Sequence, residues 1–236
     1  MSPVMLYRFL PKLGFCSRKE SKQAIFSGLV LVNGKIVKDP FIMVLPTDKI
    51  SYKGKVITQS AFVYYMLHKP QGYVCTTKDD QGRKTVMDLI KSKGRLYPVG
   101  RLDLDTTGLL LITNDSQFLD RVLDPHSHVS KTYLVHVDNI LGREALQHLR
   151  QGVIIDKDYT TKPCKVRIHT PDPQNFWVSL TITEGKFHQV KKMIGAVGGK
   201  VLHLHRISLG RLSLGDLKLG AYRQLTSQDL LLIFED

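Results

Sequence analysis

"YPVGRLDLDTTGLLLITND" spans Tyr97–Asp115 and places a polar loop between two apolar runs. RLYPV and LLLIT are short and continuous, and they read as buried strands. The loop between them carries Arg101, Asp103 and Asp105 and closes on Thr-Thr-Gly. Asp-x-Asp before a glycine is an ordinary turn signature, because each carboxylate can accept from the amides ahead of it. A loop held by core strands at both ends is also a rigid mount for a functional group. Asp115 differs from the other two. A strand-length apolar run carries it to the opposite end of the strand, where it reads as the N-cap of the helix SQFLDRVL.

Upstream, FVYYMLHKPQGYVCTT begins as a strand that Pro70-Gln-Gly72 turns, and TVMDLI is a short helix. Downstream, KTYLVHV, TKPCKVRIHT, FWVSLTIT and KVLHLHRISLG read as strands. Val178, Leu180 and Ile182 alternate toward one core. GREALQHLRQG is a helix stopped by Gly152, GKFHQVKKMIGAVG is a helix that includes His188, and SQDLLLIF is a closing helix capped by Ser227. No regular βαβ alternation appears. The expectation is an α+β domain over residues 62–236, built on a mostly antiparallel sheet.

Residues 1–58 form a second expected domain, followed by a short linker at 58–61. Leu6, Phe9, Leu10 and Leu13 make one helical face. Ser17 and Glu20 read as a capping box opening a second helix, which Gly28 stops. Asn33-Gly34 between apolar runs signals a hairpin, and Ile50–Ile57 adds further strand.

The net charge is +13. Residues 1–59 hold ten Lys/Arg against Glu20, Asp39 and Asp48, so a quarter of the chain supplies about half of the excess. That asymmetry points to a module for a polyanion, with Arg18, Lys19 and Lys22 clustered on the second helix. No apolar run is long enough to span a membrane, and the N-terminus lacks the pattern of a signal peptide. Cys16, Cys75 and Cys164 are odd in number and widely spaced, as expected for reduced thiols in a cytoplasmic protein. There is no phosphate-binding Gly-x4-Gly-Lys-Ser/Thr and no Gly-x-Ser-x-Gly. His126 and His128, His203 and His205, and His188 are not spaced to imply a shared metal, so no metal is expected.

The stretch GFCSRKESKQAIFSGLVLVNGKIV resembles an S4 domain, a small RNA-binding module. Met5-Leu6-Tyr7 stands where that family usually has Arg-Leu-Asp. GRLDLDTTGLLLITND resembles the catalytic motif of the RsuA family of pseudouridine synthases. MLHKPQGYVCTT, KTYLV, EGKFHQVKKM and LHRISLGRLSLGDLKLGAYRQLT resemble further motifs of that family, in the same order. The forms GYVCTT, EGKFHQVKKM and HRISLG are similar to members acting on 16S, small-subunit rRNA; members acting on 23S rRNA share most of them.

The resemblance implies isomerisation of uridine to pseudouridine in ribosomal RNA, free or in a small-subunit assembly intermediate. It implies no cofactor, no membrane partner and a monomer. Asp103 would be the essential carboxylate, as nucleophile or as base at the ribose. Tyr133 would stack on uracil and relay the C5 proton, and Lys191 would pair with Asp103. Arg101 would enter the space left by the flipped base or hold a phosphate. Lys69, Lys186, His188 and Gln189 join Arg18, Lys19 and Lys22 as expected RNA contacts. Asp105 would only shape the loop. The competing readings are a ribosome-associated RNA-binding protein without catalysis and a metal-dependent nuclease using Asp103, Asp105 and Asp115.

Overall fold

The computed structural model describes residues 3–58, 61–92, 94–172 and 174–235. Residues 59 and 60, in the stretch expected as a linker, lie outside the described residues. Internal contacts divide the chain into two compact units. One is built on Met1–Val63 with Ser92–Tyr97 and Thr113–Ser116; the other comprises Tyr64–Lys91, Pro98–Ile112 and Gln117–Asp236.

In the first unit, α1 (Leu6–Lys12) and α2 (Arg18–Phe26) accompany strands β1 (Val30–Val32), β2 (Lys35–Val37), β3 (Ile50–Tyr52) and β4 (Lys55–Val56). The strands form an antiparallel sheet in the order β2-β1-β3-β4. Leu6, Phe9, Leu10, Ile25, Val30 and Ile50 fill its core, which matches the helical spacing of the first segment. Asn33 and Gly34 take φ of 49° and 82°, the left-handed pair that a tight hairpin needs. The Asn33 side chain also accepts from Lys49 N–H at 2.9 Å, tying the turn to the next strand.

The α2 capping box is complete. Ser17 Oγ accepts from Glu20 N–H at 3.2 Å, and the Glu20 carboxylate accepts from Ser17 N–H at 2.6 Å. Ser17→Ala should lower stability by about 1 kcal/mol in urea denaturation. The Ser17 N–H bond holds the Glu20 carboxyl down at about 2. A depressed folded value means that this contribution is full above the ordinary glutamate range and is lost as pH falls toward 2. A Glu20→Gln variant should therefore approach wild-type stability on acidification; a deficit that grows as pH falls would contradict the reciprocal bond.

The second unit contains β5 (Tyr64–Lys69), β6 (Thr107–Thr113) and α3 (Ser116–Leu123) apart from Thr113 and Ser116, β7 (Lys131–Val137), α4 (Arg143–Gln151), β8 (Lys165–Asp172), β9 (Asn175–Ile182), α5 (Gln189–Ala196), β10 (Val201–Leu209), β11 (Tyr222–Gln224) and α6 (Ser227–Leu232). Seven of these elements make the main path of a nine-stranded sheet, in the order β8-β9-β7-β10-β6-β5-β11. The pairs β8-β9, β9-β7, β7-β10 and β5-β11 are antiparallel, and β10 with β6 is parallel. The fold is α+β with a mostly antiparallel sheet. All seven residues of β6 are buried. Gly108 makes the parallel contact possible, because a Cβ there would sit 2.3 Å from the Arg206 carbonyl oxygen.

Strand parity sets the two faces of the sheet. Tyr133, Val135, Val178, Leu180, Ile182 and Leu204 point to one face and are buried. His136, Trp177 and His203 point to the other, where His136 stacks on Trp177 at 4.6 Å. The closing helix corrects one expectation. Its N-cap is Thr226, not Ser227, because Asp229 lies three residues after Thr226 and completes the reciprocal box. Arg223 then grips Asp229 with two bonds of 2.8 and 2.9 Å. Cys16, Cys75 and Cys164 are all free and buried.

Candidate active site

The loop between Val99 and Thr107 is held by hydrogen bonds to its own backbone. Its turn closes with Thr106 N–H donating to the Asp103 carbonyl at 3.1 Å, and Gly72 N–H donates to the Leu104 carbonyl at 2.8 Å. Cys75 Sγ bonds both N–H and C=O of Leu102, at 3.3 and 3.4 Å. Lys69 is the central tie. It is 0% exposed, and its ammonium donates to the carbonyls of Pro70, Asp103 and Thr106 at 3.1, 3.0 and 2.8 Å. The expectation that Lys69 contacts RNA is therefore corrected: its donors are committed to backbone carbonyls inside the protein. Burial pulls its pKa below the ordinary lysine value, against the attraction of Cys75, Asp103 and Asp105.

The Asp103 side chain, 26% exposed, projects from this loop between two groups of another segment. Lys191 Nζ is 3.3 Å from Asp103 Oδ2, and His188 Nε2 is 3.4 Å from Asp103 Oδ1. Lys191 comes from the first turn of α5. His188 was expected inside that helix and is instead its N-cap, in the left-handed region at φ 54°. Gln189 accepts from Lys186 N–H with its side chain at 2.9 Å, which closes a turn before the helix begins. The left-handed His188 thus lies just outside the helix while its ring approaches the carboxylate.

Asp105 does more than shape the loop. It is the nearer partner of Lys191, at 2.7 and 2.9 Å, although its own side chain is 68% exposed. Lys191 holds the Asp105 carboxyl below the usual range. Burial opposes the Lys191 charge, but Asp105 and Asp103 outweigh it, so the lysine pKa lies above its ordinary value. A single ammonium therefore orients two carboxylates, as a point charge can and a planar guanidinium fork does less readily.

Beside Asp103 is a cavity of about 150 Å³, lined among others by Arg101, Lys131, Tyr133, Leu204 and Arg206. Tyr133 is buried on β7, on the sheet face that the cavity meets. Arg101 and Lys186 are exposed. Gln189 is another correction. It is buried, and its amide nitrogen donates to Glu184 and is not available to RNA. Arg18 and Lys19 are exposed in the first unit, where Lys22 Nζ lies 4.7 Å from the Tyr7 ring centroid. Among the described residues no group of three or more His, Cys, Asp or Glu is placed to hold a metal. His203 and His205 instead share Thr107 Oγ1, at 3.3 and 2.7 Å, and burial lowers His205 to about 4.

Lys131 and Arg206 are site residues that the sequence reading passed over. The available signal was their position: each is a cation at a core-facing register of an alternating strand.

Residues 63–196 match the RNA pseudouridylate synthase family, and residues 6–50 match the S4 domain. The chain is 43% identical over 235 residues to an uncharacterised RNA pseudouridine synthase, YtzG, of Bacillus subtilis, covering 98% of each. It is 38% identical over 231 residues to ribosomal small subunit pseudouridine synthase A of Escherichia coli, covering 95% of this chain and 97% of the relative. It is 36% identical over 228 residues to ribosomal large subunit pseudouridine synthase B of Bacillus subtilis, covering 95% and 93%. A crystal structure of a pseudouridylate synthase superposes with a TM-score of 0.72 at 34% identity, covering 97% and 98%. No helix among the described residues is long and apolar enough to cross a membrane. With the loop carboxylate, the family match and the S4 match in agreement, the chain belongs to the RsuA family of RNA pseudouridine synthases, isomerases that here carry an N-terminal S4 domain.

Proposed function

We propose that the protein converts one uridine of 16S ribosomal RNA to pseudouridine, acting as a cytoplasmic monomer on free rRNA or on a small-subunit assembly intermediate. The observation that carries this reading is the Asp103 carboxylate, 3.3 Å from Lys191 and on the same cavity as Tyr133. Asp103 acts at the ribose, as nucleophile or base. Tyr133 stacks on the uracil and relays the C5 proton, and Lys191 orients the carboxylate. Arg101, Lys186 and His188 contact the RNA around the extruded nucleotide. Residues 62–236 form the catalytic domain, and residues 1–58 form the S4 domain that holds phosphates through Arg18, Lys19 and Lys22.

The choice of the small subunit rests on the forms GYVCTT, EGKFHQVKKM and HRISLG. Large-subunit rRNA is the second reading, favoured by the relative of that name at nearly equal identity. Unmodified 16S and 23S rRNA, offered side by side with EDTA, separate the two. Pseudouridine at a single 16S position is the expected result. A single 23S position would move the target, and none on either RNA or on nascent subunits would remove the activity as stated.

The S4 reading has its own test. In the full chain, Arg18→Ala, Lys19→Ala and Lys22→Ala together should reduce the slope of log affinity against log salt by about 2–3. An unchanged slope would place the phosphate contacts elsewhere.

A further inference from the structure

We infer that Arg206 and Lys131 form an anion pocket for the uracil ring, holding the negative charge that the base takes on when its bond to ribose breaks. This rests on the proposed function and extends it to two residues outside the Asp103, Tyr133 and Lys191 set. Arg206 is 4% exposed. Its Nε donates to the Leu109 carbonyl at 2.7 Å, while its Nη2 is buried without a hydrogen-bond partner. In the strand register Tyr133 lies directly opposite Arg206, and Lys131 is two residues before Tyr133. All three side chains therefore leave the same face of the sheet and line the same cavity.

The protein does not neutralise this pair. Among the described residues no carboxylate lies within ion-pair distance of Arg206 or Lys131. Lys131 Nζ donates to the Val129 carbonyl at 2.8 Å. Glu184, the carboxylate whose charge reaches Lys131, accepts from Tyr159 Oη at 2.6 Å, from Lys162 N–H at 3.1 Å and from Gln189. Burial, reinforced by Arg206, pushes Lys131 down to about 8. A buried guanidinium with an idle donor and a half-buried ammonium on the same cavity are unfavourable unless an anion joins them.

The reaction makes such an anion. When N1–C1′ breaks, the bonding pair stays on N1 and spreads to O2 and O4. C1′ receives a replacement pair either from the Asp103 carboxylate or from the C2′–H bond as a base removes that proton. The detached uracil carries one negative charge by either route. C5 then gives a pair to C1′ as the Asp103 carboxylate leaves with its own pair or, on the other route, as C2′ recovers its proton; the C5 proton leaves to a base and N1 takes up a proton, so the sum is an isomerisation. A guanidinium and an ammonium already fixed around the ring stabilise the charge as it develops.

The test uses two readouts. Barbiturate is a uracil-shaped ring that is a monoanion at pH 7. By NMR titration the wild-type protein should bind it at least about tenfold more tightly than neutral uracil, and that preference should vanish in Arg206→Met and in Lys131→Met. On rRNA each variant should lose about 10²-fold in kcat with KM within about threefold, and Arg206→Lys should recover part of the loss. The melting temperature of Arg206→Met should not fall in proportion to activity, whereas a purely structural arginine would lower both. If Arg206→Met does not fold, Lys131→Met and Arg206→Lys carry the comparison. A wild-type protein with no preference for barbiturate, absence of binding included, overturns the pocket whatever the activity. So does near-normal kcat in both methionine variants. A protein that prefers barbiturate yet modifies no rRNA would keep the pocket and remove the proposed function.

Discussion

Asp103→Asn should abolish pseudouridine formation, a loss of at least about 10⁴-fold in kcat, while RNA affinity stays within a few-fold of wild type. Asparagine keeps the size and shape of the side chain and removes the charge and the nucleophilic oxygen. The fold should tolerate the change. The loop is held by Lys69, Cys75 and Gly72 through backbone atoms, and Lys191 retains Asp105 at 2.7 Å. The stability difference should be within about 1 kcal/mol, as for other partly exposed ion contacts. Asp105→Asn is the matched control. Asp105 touches the site only through Lys191, so its removal should leave that ammonium to Asp103 alone and cost about tenfold or less. Tritium release from C5-labelled rRNA, with filter binding in parallel, reads both quantities. An active Asp103→Asn protein with an inactive Asp105→Asn protein would transfer the essential role to Asp105.

What could be read from the sequence was local. The capping box at Ser17 and Glu20, the Asn33-Gly34 turn and the alternation of Val178, Leu180 and Ile182 each depend on neighbours within a few residues, and each appears in the structure as read. The errors arose in two ways. Thr226 against Ser227 was a choice between adjacent hydroxyls, decided by which of them has an acid three residues on. His188 lay inside a helical pattern that the Gln189 side chain shortens by a turn. The other errors needed the sheet. Lys69 meets Asp103 and Thr106 across 34 and 37 residues, and Lys191 meets Asp105 across 86. Charge and periodicity identify such residues as polar or apolar, but the strand order decides which loops face one another. That is also why Lys69 and Gln189 read as surface contacts: nothing within a few residues of either indicates burial.

Lys69→Met should lower stability by about 3 kcal/mol and kcat by about 10²-fold, with little change in RNA affinity. Methionine has nearly the reach of lysine and would fill the same space. It removes the one group that donates to the carbonyls of Pro70, Asp103 and Thr106 together; the Asp103 carbonyl keeps the Thr106 N–H, and a buried carbonyl left without a donor costs about 1–3 kcal/mol. Part of that cost is offset, because taking a charge out of a buried site relieves its desolvation. The effect on turnover follows from where the carbonyls are. Two of the three belong to the Asp103–Thr106 turn, so releasing them lets the carboxylate drift relative to Tyr133 and the cavity. A misplacement of about 1 Å can cost about 10²-fold. Urea denaturation and single-turnover assays separate the two effects. A surface lysine contacting phosphate would show the opposite pattern, with weaker RNA binding, a shallower salt dependence and unchanged stability. A Lys69→Met protein as stable and active as wild type would mean that the Cys75 and Gly72 bonds hold the turn by themselves.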